Sequence, residues 1–174
     1  MSILKVNTIQ DKGGNNLLVS DGAGTISSGG AITNTPSFGV QQSGSQSISN
    51  NAWTKLQCDS ENWDTDSAYD NSSNYRFTVP SDKAGKYYLQ AHVQIVGIDS
   101  TELGSITFHK NGSEVGQANV RVHAAGTNDT FQMITAITLS LAVGDYIEVY
   151  VYQNSGDTQN ANKGYFTGHK LIGA

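Results

Sequence analysis

Between Tyr87 and Ile95 every second residue is apolar: Tyr87, Leu89, Ala91, Val93 and Ile95 alternate with Tyr88, Gln90, His92 and Gln94. Successive side chains of a β-strand point to opposite faces, so this spacing predicts a strand with one buried face. The same period recurs twice. Phe131, Met133, Ile137, Leu139 and Leu141 make a second apolar row, and Ile147, Val149 and Val151 a third, with Tyr146, Glu148, Tyr150 and Tyr152 on its reverse side. Both faces of that third strand are substantially apolar. A sandwich buries one face of each sheet, so outward tyrosines predict a second contact surface, with another subunit or with a ligand.

From Pro36 onward, clusters of Gly, Asn, Asp and Ser break the chain into short segments, and no stretch holds a 3.6-residue apolar period. This is the pattern of an all-β sandwich or barrel. Asn111-Gly112 is the clearest hairpin signal, because both residues accept the positive φ of a type I′ turn. Ile106 and Phe108 before it and Val115 after it are expected to face the core.

The first 35 residues are different. Two short apolar patches, Ile3 to Ile9 and Leu17 to Val19, are separated by Asp11-Lys-Gly-Gly-Asn-Asn16 and followed by a Gly/Ser run to Gly30. Such a segment buries too little to fold alone. Residues 1–35 are therefore expected to be an extended anchoring arm and linker, ordered against another body, and residues 36–174 a single head domain.

Composition narrows the function classes. A net charge of −5 with 10 scattered Lys and Arg argues against nucleic acid, which needs a concentrated basic surface. Cys58 is the single cysteine, so no intrachain disulfide or thiolate metal cluster is expected, and it reads as a small apolar strand residue. The opening Met1-Ser-Ile-Leu-Lys-Val-Asn-Thr-Ile-Gln lacks the continuous apolar region of a secretory signal, and no run approaches the roughly 18 apolar residues of a membrane span. Synthesis as a soluble protein in the cytoplasm, without membrane insertion, is the expectation.

Catalytic patterns are weak. His92, His109, His123 and His169 are widely spaced, Gly22-Ala-Gly24 has neither a third glycine nor a following helix, and no Gly-x-Ser-x-Gly elbow occurs. No carboxylate pair stands out either, so neither an enzyme nor a cofactor is expected. Asp59, Glu61, Asp64, Asp66 and Asp70 surround Trp63 without the spacing of an EF-hand loop, which reads as a solvated acidic loop and leaves calcium open. Within it, Trp63 and Tyr69 form a candidate ligand loop that suits stacking on a sugar ring.

Several segments together carry a family resemblance: Tyr69-Asp70 with its Asn-Ser turn, Tyr75-Arg-Phe77-Thr-Val-Pro80, Gly85-Lys-Tyr87-Tyr88-Leu89, His109-Lys-Asn111-Gly112, Leu139-Ser-Leu141 with Gly144-Asp145, and Phe166-Thr-Gly168. In order and spacing, Phe38 to Ile172 resembles the tumour necrosis factor and complement globular-head jelly-roll superfamily. It departs from that pattern at Pro80-Ser-Asp-Lys-Ala-Gly85, which lengthens one turn. The resemblance implies a ten-stranded antiparallel jelly roll assembled as a homotrimer, with aromatic residues of the inner sheet around the axis. Tyr88, Tyr150 and Tyr152 are the residues expected there, so that an Asp at Tyr150 would abolish the trimer.

The stretch from Ile3 to Ile26 resembles the opening of tail-fibre and other virion proteins of tailed bacteriophages. That implies a virion structural protein whose arm docks on the major capsid protein or on tail proteins through Ile3, Val6, Ile9, Leu17 and Leu18. The head would serve as a capsid decoration (cement) protein or as a tail-fibre tip that recognises a host surface glycan. The alternative is a lectin-like trimer that binds a receptor or carbohydrate away from any virion.

Overall fold

The computed structural model describes residues 8–20, 23, 26–28 and 35–171. The chain divides into two compact units, Met1–Thr33 and Asn34–Ala174. In the first unit, β1 (Thr8–Gln10), β2 (Asn16–Ser20) and β3 (Ile26–Ser28) form an antiparallel sheet in the order β1-β2-β3. The Asp11 carboxylate closes the first turn by accepting the backbone N–H groups of Gly13 and Asn15, at 2.7 and 2.9 Å, together with the Asn15 side-chain amide. Those donors, the Asn15 amide first, hold its carboxyl below the ordinary carboxylate range.

The second unit contains β4 (Ser37–Gln41), β5 (Gln46–Ile48), β6 (Thr54–Lys55), β7 (Ser60–Asp64), β8 (Tyr69–Asp70), β9 (Arg76–Thr78), β10 (Gly85–Ile98), β11 (Leu103–Lys110), β12 (Ser113–Glu114), β13 (Val120–His123), β14 (Asp129–Leu141), β15 (Tyr146–Gln153) and β16 (Gln159–Lys170). These are thirteen strands where the resemblance implies ten, and ten of them have three or more residues. The two-residue segments β6, β8 and β12 are additional. One sheet runs β14-β10-β16-β4-β7 with β5 also on β16, and the other runs β12-β11-β15-β9-β8 with β13 on β11 and β6 on β15. The ladders within both sheets are antiparallel, and their facing sides enclose one core.

The alternation of the sequence becomes the two sides of each sheet. Tyr87, Leu89, Ala91, Val93 and Ile95 are fully buried, as are Ile147, Val149 and Val151 opposite them. Met133 and Leu141 join this core, while Phe131, Ile137 and Leu139 are half-buried against it. Ile106 and Phe108 are buried and Val115 packs on the same core. Cys58 is buried too, and desolvation pushes its thiol up to about 12, which leaves it unreactive.

Turn chemistry sets the register. Asn111 and Gly112 take φ values of 51° and 80°, both in the left-handed region, and join β11 to β12 with His109 opposite Glu114. Asp145 locks that hairpin to the turn before β15: it accepts Asn111 Nδ2 at 2.7 Å, the Ala142 N–H at 2.8 Å and Lys110 Nζ at 2.8 Å. With Lys110 and Asn111 as the leading causes, its carboxyl is lowered to about 2. In the lengthened Pro80–Gly85 turn, Asp82 is left-handed, and Lys83 meets Asp66 at 3.6 Å and Thr35 Oγ1 at 3.0 Å.

Candidate functional site

The side of β10 that faces away from the core carries Lys86 at its start, opposite Ser140, and then Tyr88, Gln90, His92 and Gln94. Cross-strand register extends the positions from Tyr88 to Gln94 into four rows. They read Thr138–Tyr88–His169–Ser37, Ala136–Gln90–Thr167–Gly39, Ile134–His92–Tyr165–Gln41 and Gln132–Gln94–Asn162, across β14, β10, β16 and, in the first three rows, β4. None of the residues in these four rows is Lys, Arg, Asp or Glu. Ile134 is 56% exposed at one side of this face, and Trp63, opposite Gly39 on β7, is 45% exposed at the other. Interface cores lose charged residues and gain aromatic ones, so this face has the composition of a contact surface rather than of a solvated one.

Trp63 lies flat over Gly39, where an added Cβ would overlap its six-membered ring. A G39A substitution is therefore expected to swing the indole outward. Read in a W53F background, Trp63 fluorescence should shift to longer wavelength, and an unchanged emission maximum would contradict the close approach.

The segment from Asp59 to Asp70 is not a loop around a shared site. It crosses from β7 at the edge of one sheet to β8 in the other. Three of its carboxylates are spent locally. Asp59 accepts the N–H and hydroxyl of Ser43 at 2.7 and 2.6 Å, Asp64 accepts the Tyr69 N–H at 2.8 Å, and Asp70 caps the turn through Ser72, Ser73 and Asn74. Among the described residues, no three His, Cys, Asp or Glu side chains converge as metal ligands.

Tyr69 does not stand beside Trp63 as a second stacking ring. It is 6% exposed and packs in the core on Phe38, with centroids 5.7 Å apart, and burial pushes its phenol far up. Alternation explains the misplacement: Tyr69 pairs with Phe77 across β8 and β9, and both point inward.

The outward side of the other sheet is built differently. There β11, β15, β13 and β6 present Arg121, Ser105 and Tyr152 in one row and Thr107, Tyr150 and Lys55 in the next, followed by His109 and Glu148. His109 stacks on Tyr150 at 4.0 Å and 22°, and Trp53 packs on Tyr152 at 5.4 Å. Glu148, 4% exposed, is paired with Lys55. Charges and aromatics are interleaved here, in contrast to the first face.

No protein-family model matches this chain, and none of the curated proteins compared with it does. Solved structures do. The globular domain of zebrafish complement 1qA aligns over 79% of this chain and 98% of that one, at 14% identity and a TM-score of 0.50. The Eiger tumour necrosis factor of S. frugiperda aligns over 79% and 92%, at 18% identity and a TM-score of 0.56. The head has the C1q/TNF-like jelly-roll fold.

Within this C1q/TNF-like head the three tyrosines expected around one axis are divided. Tyr88 lies on the outer side of one sheet, whereas Tyr150 and Tyr152 lie on the outer side of the opposite sheet. Period-two alternation assigns a side within a strand but not the sheet to which the strand belongs. Of the arm residues, Ile9 and Leu18 are direct cross-strand partners, both exposed. Ile3, Val6 and the side chain of Leu17 lie outside the described residues. Sequence reasoning missed Ile134, Tyr165, Trp53 and Arg121. For Ile134 a signal existed, since it falls between Met133 and Thr135, off the buried row.

His109 gives the head a pH dependence. Its Nε2 is buried without a hydrogen-bond partner, and desolvation lowers its pKa from 6.5 against the opposing pull of Glu114 and Glu148. A lowered histidine pKa means that the unfolded chain binds the proton more readily. The neutral ring's contribution is thus fully present above about pH 6.5 and is lost as pH falls through the folded value. Melting temperature should decline below that pH more steeply in the wild type than in H109Q, and parallel profiles would contradict this.

Proposed function

We propose that this chain is a bacteriophage virion structural protein whose C1q/TNF-like heads associate as a homotrimer through the face of Tyr88, Ile134 and Trp63. The observation that carries the trimer is the absence of formal charge across four ladder rows of a solvent-facing sheet. An isolated head would expose this surface to water, whereas a second and third copy would bury it. The mechanism is association rather than catalysis. Tyr150 and Tyr152 then face outward, away from the axis.

The virion role is supported by the arm, whose residues from Ile3 to Ile26 resemble the opening of tailed-phage virion proteins. Its exposed Ile9–Leu18 pair is an apolar contact of the kind that docks on a larger body. Capsid decoration and tail-fibre tip remain the two forms of this role. They are separated by gold-labelled antibody against the head on particles purified from a lysate: label over the capsid is expected for a cement protein and label on the tail for a fibre tip. Particles without label would overturn the virion role and favour the lectin-like trimer.

A further inference from the structure

A cleft of about 290 Å³ opens on the outer side of the second sheet, lined by Trp53, Leu103, Ser105, Arg121 and Tyr152. We propose that it binds a single sugar ring carrying a carboxylate, a uronic or sialic acid unit of a surface glycan. Small-ligand sites span about 300–1,000 Å³, so this volume takes one ring rather than a peptide segment.

The register builds the site. Arg121, Ser105 and Tyr152 are direct neighbours across β13, β11 and β15, and Leu103 lies two residues from Ser105 on the same side. Trp53 meets Tyr152 at 48°, which makes an aromatic corner. Such a corner receives the C–H face of a pyranose, while its hydroxyls need acceptors at the rim.

Tyr152 supplies one such acceptor. Ser105 Oγ commits its proton inward, to Asn119 Oδ1 at 2.7 Å and Val120 O at 3.0 Å, and Tyr152 Oη commits its own to Asn51 Oδ1 at 2.9 Å. Ser105 is buried at 1% exposure and closes the cleft from below, while the partly exposed Tyr152 Oη keeps a lone pair for an incoming hydroxyl. Arg121 is exposed, and among the described residues its guanidinium has no hydrogen-bond or ion-pair partner. No acidic side chain lines the cleft. An unpaired guanidinium beside an aromatic corner selects a planar carboxylate, which it grips with two parallel hydrogen bonds. The site is formed within one chain and is independent of the trimer and of the virion role.

The test is a titration of the full ¹⁵N-labelled protein, following the indole N–H signal of Trp53 assigned with W53F. Glucuronate and N-acetylneuraminate are the acidic probes, with methyl glucoside and acetate as partial ligands. A saturable shift with at least one acidic sugar is expected, at least tenfold weaker with methyl glucoside and with acetate. R121A, which removes an exposed side chain without a partner and should leave the fold intact, is expected to weaken binding at least tenfold. No saturable shift with either acidic sugar would overturn the proposal. So would undiminished binding by R121A, or equal affinity for acetate or for an acidic dipeptide, which would make the cleft a general carboxylate site.

Discussion

An I134D substitution is expected to leave the head folded but monomeric. Ile134 is 56% exposed, so its side chain contributes little to the core of its own protomer. It stands opposite His92, between the outward Gln132 and Ala136, on a face that offers no cation in its four rows. Three-fold assembly on this face would bring three copies of the new carboxylate into a desolvated region without partners. Burying an unpaired charge costs several kcal/mol, more than an ordinary interface contact contributes. The far-ultraviolet β signature should persist while the solution mass falls threefold. Y152D places the same charge on the opposite sheet and is expected to keep the assembled mass. Assembly that survives I134D, or is lost in Y152D alone, would move the axis to the other face.

The second large effect is on stability. F38A is expected to destabilise the head by about 3–5 kcal/mol, the range for deleting a buried phenylalanine ring. Phe38 is 1% exposed on β4 and stacks on Phe77 of β9 at 4.7 Å and 14°. It meets Phe166 of β16 edge-on at 4.8 Å. The ring therefore joins the two sheets, and the loss removes both apolar burial and aromatic contacts. Against a typical total of about 5–15 kcal/mol, the melting temperature should fall by roughly 10 °C or more. F38L, which keeps most of the volume, should lose less than half as much. A shift of F38A below about 2 °C in thermal denaturation would contradict the role given to this ring.

The fold was largely legible because alternation and turn chemistry agree with each other. The row from Tyr87 to Ile95 is buried as its period demands, and Asn111-Gly112 turns where two positive φ values are needed. The site was less legible, because period two names a side and not a neighbour. It separates Tyr88 from Tyr87 but is silent on whether Tyr88 shares a sheet with Tyr150. Tyr69 was misassigned for a related reason. Its acidic flanks suggest an exposed loop, yet they serve strand ends and turns, while the ring itself packs inward on Phe38. Arg121 and Trp53 are 68 positions apart in the chain, and the β13–β11–β15–β6 ladder brings them to one cleft. No local pattern contains that juxtaposition.

Assembly through the sheet face of Tyr88, Ile134 and Trp63 sets the mass of the protein in solution. The most direct measurement is the solution molar mass of the full chain by sedimentation equilibrium, across a hundredfold range of concentration. A single species at three times the chain mass of 18.5 kDa is expected throughout that range. A species at 18.5 kDa, or a dimer, would contradict it.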